Sequence, residues 1–293
     1  MKKSNFSVCG AFCFWLGCAA AFAALALRCV QVFKYTDYET AHVLKSASES
    51  VAAFYSLLAA SAVFFALSVI KCKPFSAVNR MRGKSIFALC LLSGAGMFYD
   101  FVYRCILCFD YVSSTQHPAA NRLTPMICTA IFALFSAAFF IALGISFKTT
   151  RYQMSSLWFL YISPVMWAIS GLLSLLTVYD DVFFAEETFL KYAAMIAAVV
   201  FFLLFALGED KDKSALPALV AAGLVYGSFA ISLSVPRIAA LAAGLPLVGA
   251  DFSSVSFLFT GLFAVCAALK TVLTSNRSEE RRVGKECRSR WSP

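Results

Sequence analysis

Apolar residues in this chain come in long runs separated by short polar connections, without sustained alternation of polar and apolar positions. A hydrocarbon layer about 30 Å thick takes about 20 apolar residues per helical crossing. Runs of that length occur eight times, at residues 6–30, 51–70, 86–109, 124–147, 157–178, 190–208, 215–238 and 254–273. Strands of a membrane barrel would alternate at every second residue, so the pattern predicts an all-α, polytopic transmembrane helix bundle. A single domain is expected over residues 1–276, because the longest connections, 34–50 and 71–85, are too short to fold alone.

Composition points the same way. With 61% hydrophobic and 14% charged residues and a mean hydropathy of +0.78, the chain carries more apolar surface than a soluble domain of this length can bury. The plasma membrane is the expected location and the lipid bilayer the main partner.

Lysine and arginine in the connections set the orientation, because positively charged loops stay cytoplasmic. Lys2 and Lys3, then Lys71, Lys73, Arg80, Arg82 and Lys84, then Lys148 and Arg151, then Lys211 and Lys213 all fall on one side. On the other, Asp37, Glu39 and Glu49 offset Lys34 and Lys45, and Asp180, Asp181, Glu186 and Glu187 form a second acidic connection. Both termini are therefore expected inside. The opening "MKKSNF", with "AAAFA" after an apolar run, also resembles a signal peptide, and its removal would leave seven helices in the same orientation. The apolar run continues through "ALALRCVQVF", however, which is too long for a signal core and favours a retained helix.

The formal charge of +9 includes a contribution of +3 from the last seventeen residues, "RSEERRVGKECRSRWSP", Arg277 to Pro293. Read back into codons, that stretch matches the adapter oligonucleotide ligated to DNA for short-read sequencing. It also mixes Glu279, Glu280 and Glu286 among its basic residues, unlike a lipid-binding polybasic segment. The tail is expected to be a translated artefact, and the basic balance is no nucleic-acid footprint. Of the eleven cysteines, Cys9, Cys13, Cys18, Cys90, Cys105, Cys108, Cys128 and Cys266 lie inside apolar runs, which reads as helix packing rather than a disulfide framework.

The third run, "SIFALCLLSGAGMFYDFVYRCILCFDYV", holds the most informative polar residues. Asp100 lies about 21 Å along a helix from Ile86, well inside the hydrocarbon, with Arg104 one turn later on the same face. A charge at that depth is rarely left facing lipid. Cys90, Ser93, Met97, Asp100, Arg104 and Cys108 form a stripe expected to face the bundle interior, with Gly94 and Gly96 allowing a neighbour to approach closely. The Asp100 and Arg104 pair is the candidate intramembrane polar site, either a packing element or a site for substrate, ion or proton. Arg28, Lys191, Arg237 and Lys270 lie near the expected helix ends and suit snorkelling. Trp158, Tyr161, Tyr179 and Tyr192 suit an interfacial belt. Pro164 and Pro236 are expected to kink or end helices, freeing carbonyls that a cation or water could use.

Catalytic signatures are incomplete. Glu186, Glu187 and Lys191 in "EETFLK" approximate the EExxxR motif of membrane-embedded CAAX-type proteases, yet lysine replaces arginine and no histidine follows. "DDVFF" at Asp180 lacks the third acid of a DDxxD diphosphate site. Asp37 and Glu39 resemble only faintly the acidic pair of lipid-linked glycosyltransferases. A metal site would need Glu39, His42 and His117 to meet, and the CxxC of Cys105 and Cys108 has no redox-domain context.

The "SPVMWAISGLLSLL" and "LKYAAMIAAVVFFLLFALGED" runs resemble multi-pass membrane proteins of unassigned function in Clostridia-type bacteria, a likeness that implies no activity. The leading expectation is a non-enzymatic integral membrane protein, either a small permease or an accessory or sensory subunit with membrane partner subunits. The alternative is an intramembrane enzyme acting on a lipid-linked substrate through Asp100, Arg104 and the outer acidic loops. Neither cofactor, metal nor nucleic acid is implied.

Overall fold

The computed structural model describes residues 8–35, 48–70, 83–115, 119–148, 159–177, 185–209, 215–245 and 253–289, and only the backbone of residues 8, 185–187, 208, 209, 253 and 273–289. Each apolar run forms a helix, and the described residues contain no strand. The helices are α1 (Val8–Val30), α2 (Ser48–Val69), α3 (Lys84–Ser114), α4 (Ala120–Lys148), α5 (Ile162–Thr177), α6 (Ala185–Glu209), α7 (Ala215–Ala242) and α8 (Ser253–Ser289). Among the described residues, eight spans are long and apolar enough to cross a membrane. Large apolar side chains stand outward along them, including Phe12, Trp15 and Phe22 on α1 and Phe98, Ile106 and Phe109 on α3. Such a surface is costly in water and ordinary in lipid, consistent with an integral membrane protein.

Buried faces follow helical spacing. Phe54, Leu58, Ser61, Phe65 and Ser68 line α2, and Leu190, Ala194, Ala198, Phe201 and Phe205 line α6. Hydroxyls on these faces mostly bond to carbonyls of their own helix, as Ser61 Oγ does to Leu58 O at 2.7 Å and Ser136 Oγ to Phe132 O at 2.7 Å. A polar group so satisfied can be buried cheaply in a bilayer.

Consecutive helices from α3 to α8 pack side by side, and α3 also packs on α8, closing a circuit of six. The α1 and α2 hairpin docks outside this circuit, chiefly on α7. Burial follows from that plan: 17% of the first span is buried, against 61% of the seventh, which is covered on both sides.

Neighbours run antiparallel. On α3 and α4, Cys90 lies against Gly144 while Gly94 lies against Ala137 and Ile141. On α7 and α8, Gly223 lies against Ala264 and Ala268, and Gly227 and Ala230 against Gly261. Gly223 and Gly227 are a GxxxG pair, the spacing that lets two helix backbones come together where dispersion rather than water expulsion drives association. The first residues of α3, α5 and α7 therefore share one end of the bundle with the last residues of α4 and α6, and the opposite ends of these helices share the other.

Helix ends depart from the expected ones in instructive ways. A π-helical turn, Gln31–Tyr35, prolongs α1. A 3₁₀ turn at residues 159–161 precedes α5, so Pro164 sits in the first turn of that helix, where its missing N–H interrupts nothing. Pro236 lies inside α7 without ending it. The helix stops instead at Gly244, whose φ of 73° suits glycine, with Leu245 N donating to Ala240 O at 3.0 Å. The backbone of α8 continues helically over 277–289, a stretch rich in helix-forming Glu, Arg and Lys.

Candidate functional site

The interior of the six-helix circuit has two layers. One is aromatic: Phe140 meets Phe202 at 6.0 Å and Phe263 at 5.3 Å between ring centroids, Phe201 meets Tyr226 at 5.9 Å, and Phe205 meets Phe263 at 5.7 Å. Rings from four helices thus interlock edge to face and stacked. Tyr226 is wholly buried, and its hydroxyl bonds the Thr260 hydroxyl at 2.6 Å. Gly94 packs against Ala137 and Ile141, so Phe140 is level with that part of α3, about 9 Å along the helix from Asp100.

The second layer is polar. Asp100 is 0% exposed, and its Oδ2 accepts two hydrogen bonds: from Arg104 Nε at 3.0 Å and from Trp167 Nε1 at 2.9 Å. The first is the i, i+4 ion pair anticipated within α3; the second crosses the interior from α5. Trp167 is itself fully buried and leans on Phe257 of α8, centroids 5.4 Å apart. Two helices thereby meet at one carboxyl oxygen, and α8 packs on the tryptophan that reaches it. Asp100 Oδ1, also buried, has no hydrogen-bond partner among the described residues. Arg104 is where α3 leaves the core: its side chain is 14% exposed, whereas beyond it Ile106 and Phe109 stand outward.

The rest of the stripe on α3 is placed similarly. Cys90, Ser93 and Met97 are buried and Cys108 is half-buried. Ser93 Oγ donates to Phe259 O of α8 at 3.0 Å, and Gly96 lets α3 approach Ser256 and Phe259. Gly94 and Gly96 thus face different neighbours, α4 and α8.

Trp167 is absent from the sequence-derived site. One signal was available: a tryptophan deep in an apolar run brings an indole N–H that needs an acceptor in hydrocarbon. Nothing in the local pattern names Asp100 as that acceptor, because the two are 67 positions apart.

Two of the expected snorkelling cations are instead buried. Arg28 is 9% exposed and Arg237 5%. For Arg237 the reason is that α7 continues beyond the expected end at 238, to Ala242. Lys191 and Lys270 are half-buried, and Lys270 Nζ lies beside Gly83 at the start of α3. Tyr161 is buried against Phe139 and Phe205 rather than in a belt.

Asp37, Glu39, His42, His117, Asp180 and Asp181 lie outside the described residues, as do Trp158, Tyr179 and most of the loop lysines and arginines. Among the described residues, no three His, Cys, Asp or Glu side chains group as metal ligands would. Comparison with protein-family models, curated proteins and solved structures produced no match.

Proposed function

We propose that this chain is a small permease of the plasma membrane, with both termini cytoplasmic and Asp100 as the group that contacts substrate or coupling proton. One observation carries the reading. Inside the six-helix circuit stands a carboxyl with one oxygen held by two donors and the other, Oδ1, buried without a partner among the described residues. A buried acceptor in that state is stabilised by a proton or a donor group of a bound solute. Arg104 and Trp167 hold the carboxyl in place, and the aromatic layer separates it from the end of the bundle where α3 begins and α4 ends. Passage would require Phe140, Phe202 and Phe263 to part, as expected of a gate in an alternating-access cycle.

Proteoliposomes containing a pH-sensitive dye test this reading. A panel of small solutes should include one that moves protons with the wild type and not with Asp100→Asn, while the variant keeps its helical signal and its elution volume. Transport by Asp100→Asn equal to that of the wild type for every active solute would refute the role given to the carboxyl.

A second reading, an accessory or sensory subunit, draws support from the internal neutralisation of Asp100 by Arg104, which suits a locked packing element. Co-purification of a stoichiometric membrane partner in mild detergent, unaffected by Asp100→Asn, would favour it. The enzyme alternative depends on acidic connections at residues 37–39 and 180–181. We also infer that residues 277–293 are translated adapter sequence; sequencing the genomic locus across the codon for Asn276 tests this, and an intact frame encoding the same residues refutes it.

A further inference from the structure

Where α1 ends and α2 begins, the hairpin contains a second polar cluster, independent of Asp100. Arg28, near the end of α1, is only 9% exposed. Its Nη1 donates to Gln31 Oε1 at 3.2 Å, and its guanidinium carbon lies 5.7 Å from the centroid of the Phe54 ring. Gln31 is 0% exposed and donates through Nε2 to Ser50 Oγ at 3.2 Å. An arginine carries five N–H donors in a planar fork and is always charged. No described carboxylate forms an ion pair with Arg28, in contrast to Arg104, which pairs with Asp100. A guanidinium held by a neutral amide and a ring face has one donor matched by Gln31 and no described counter-charge.

The surroundings add positive potential. Ser50 belongs to the first turn of α2, which opens at Ser48 and turns the positive end of its dipole towards this cluster. Lys34 lies on the same π-helical turn as Gln31, a rare geometry that recurs at functional positions. That turn packs on α7, which brings the buried Arg237 to the same end of the bundle. Glu49, the neighbouring carboxylate in sequence, is exposed.

Depth identifies the anion's source. The first span covers Cys9–Tyr35, and Arg28 lies about 10 Å from its end, near the boundary between acyl chains and headgroups. Val30 and Phe33 beside it are 46% and 44% exposed and offer contact to an acyl chain. We propose that Arg28, Gln31 and the first turn of α2 bind a phosphate-bearing anion, the headgroup of an anionic phospholipid, through the guanidinium fork.

The full chain, purified in a neutral detergent, is titrated separately with phosphatidylglycerol, phosphatidylcholine and inorganic phosphate, and followed by native mass spectrometry and thermal unfolding. Phosphatidylglycerol should bind the wild type at least about tenfold more tightly than phosphatidylcholine and raise its unfolding midpoint. Arg28→Gln should abolish that preference. Arg28→Lys, which keeps the charge and loses the fork, should weaken it and guards against a folding defect in the first variant. Arg122→Gln, which removes a cation lying over Tyr111 on the opposite wall, should bind as the wild type does. A response to inorganic phosphate matching that to phosphatidylglycerol, and lost in Arg28→Gln, supports the same site with a free anion as its occupant. Unchanged phosphatidylglycerol binding in both Arg28 variants, or a wild type indifferent to phosphatidylglycerol and phosphate alike, overturns the proposal.

Discussion

Trp167 Nε1 donates to Asp100 Oδ2 at 2.9 Å, joining α5 to α3 across the interior of the bundle. Both side chains are 0% exposed, so this bond has no water to replace it. Removing the donor should cost about 1–3 kcal/mol, the usual penalty for leaving a buried polar partner unmatched. Trp167→Phe should therefore lower the thermal midpoint in detergent. In a double-mutant cycle with Asp100→Ala, which removes the acceptor, the two losses should fall short of additivity, since each removes the same bond.

The ion pair behaves asymmetrically. Arg104→Ala leaves a buried carboxylate without its counter-charge and is expected to destabilise by about 3–5 kcal/mol if the carboxylate stays ionised. Replacing both members, Asp100→Leu with Arg104→Leu, should recover much of that loss, because no unpaired charge is left in hydrocarbon. Urea or thermal unfolding of the three proteins measures the order, and a double variant weaker than Arg104→Ala would contradict it.

Close approach of α7 and α8 depends on Gly227. A Cβ there would collide with Val265 and stand 3.1 Å from Gly261 O, which as backbone has little room to move. Gly227→Ala should cost about 1–3 kcal/mol by overpacking. Gly244→Ala meets nothing within 4 Å, so its cost is conformational alone and near 1 kcal/mol, arising from the φ of 73°. Comparing the two separates backbone packing from backbone strain.

Orientation is testable with reporter fusions. Alkaline phosphatase fused after residue 115 should be active, because that connection is expected outside, whereas fusion after residue 148, beside Lys148 and Arg151, should be silent. The reverse pattern would invert the bundle. In either orientation the chain should stay in the pellet after alkaline carbonate extraction.

The sequence by itself determined the helices, their number and, from loop charge, an expected orientation. Hydrocarbon leaves the backbone no partner but itself, so run length alone dictates where a helix must lie. It also placed Asp100 and Arg104 on one face, since four residues make about one turn. Tertiary structure alone decided which helices meet. That Trp167 reaches Asp100, that Gly223 and Gly227 face Ala264 and Gly261, and that Arg28 and Arg237 are covered all depend on packing between segments distant in sequence. Lipid tails are as apolar as the helix faces, so hydrophobicity does not choose the partners; shape and hydrogen bonding between specific faces do, and neither is written in a local pattern.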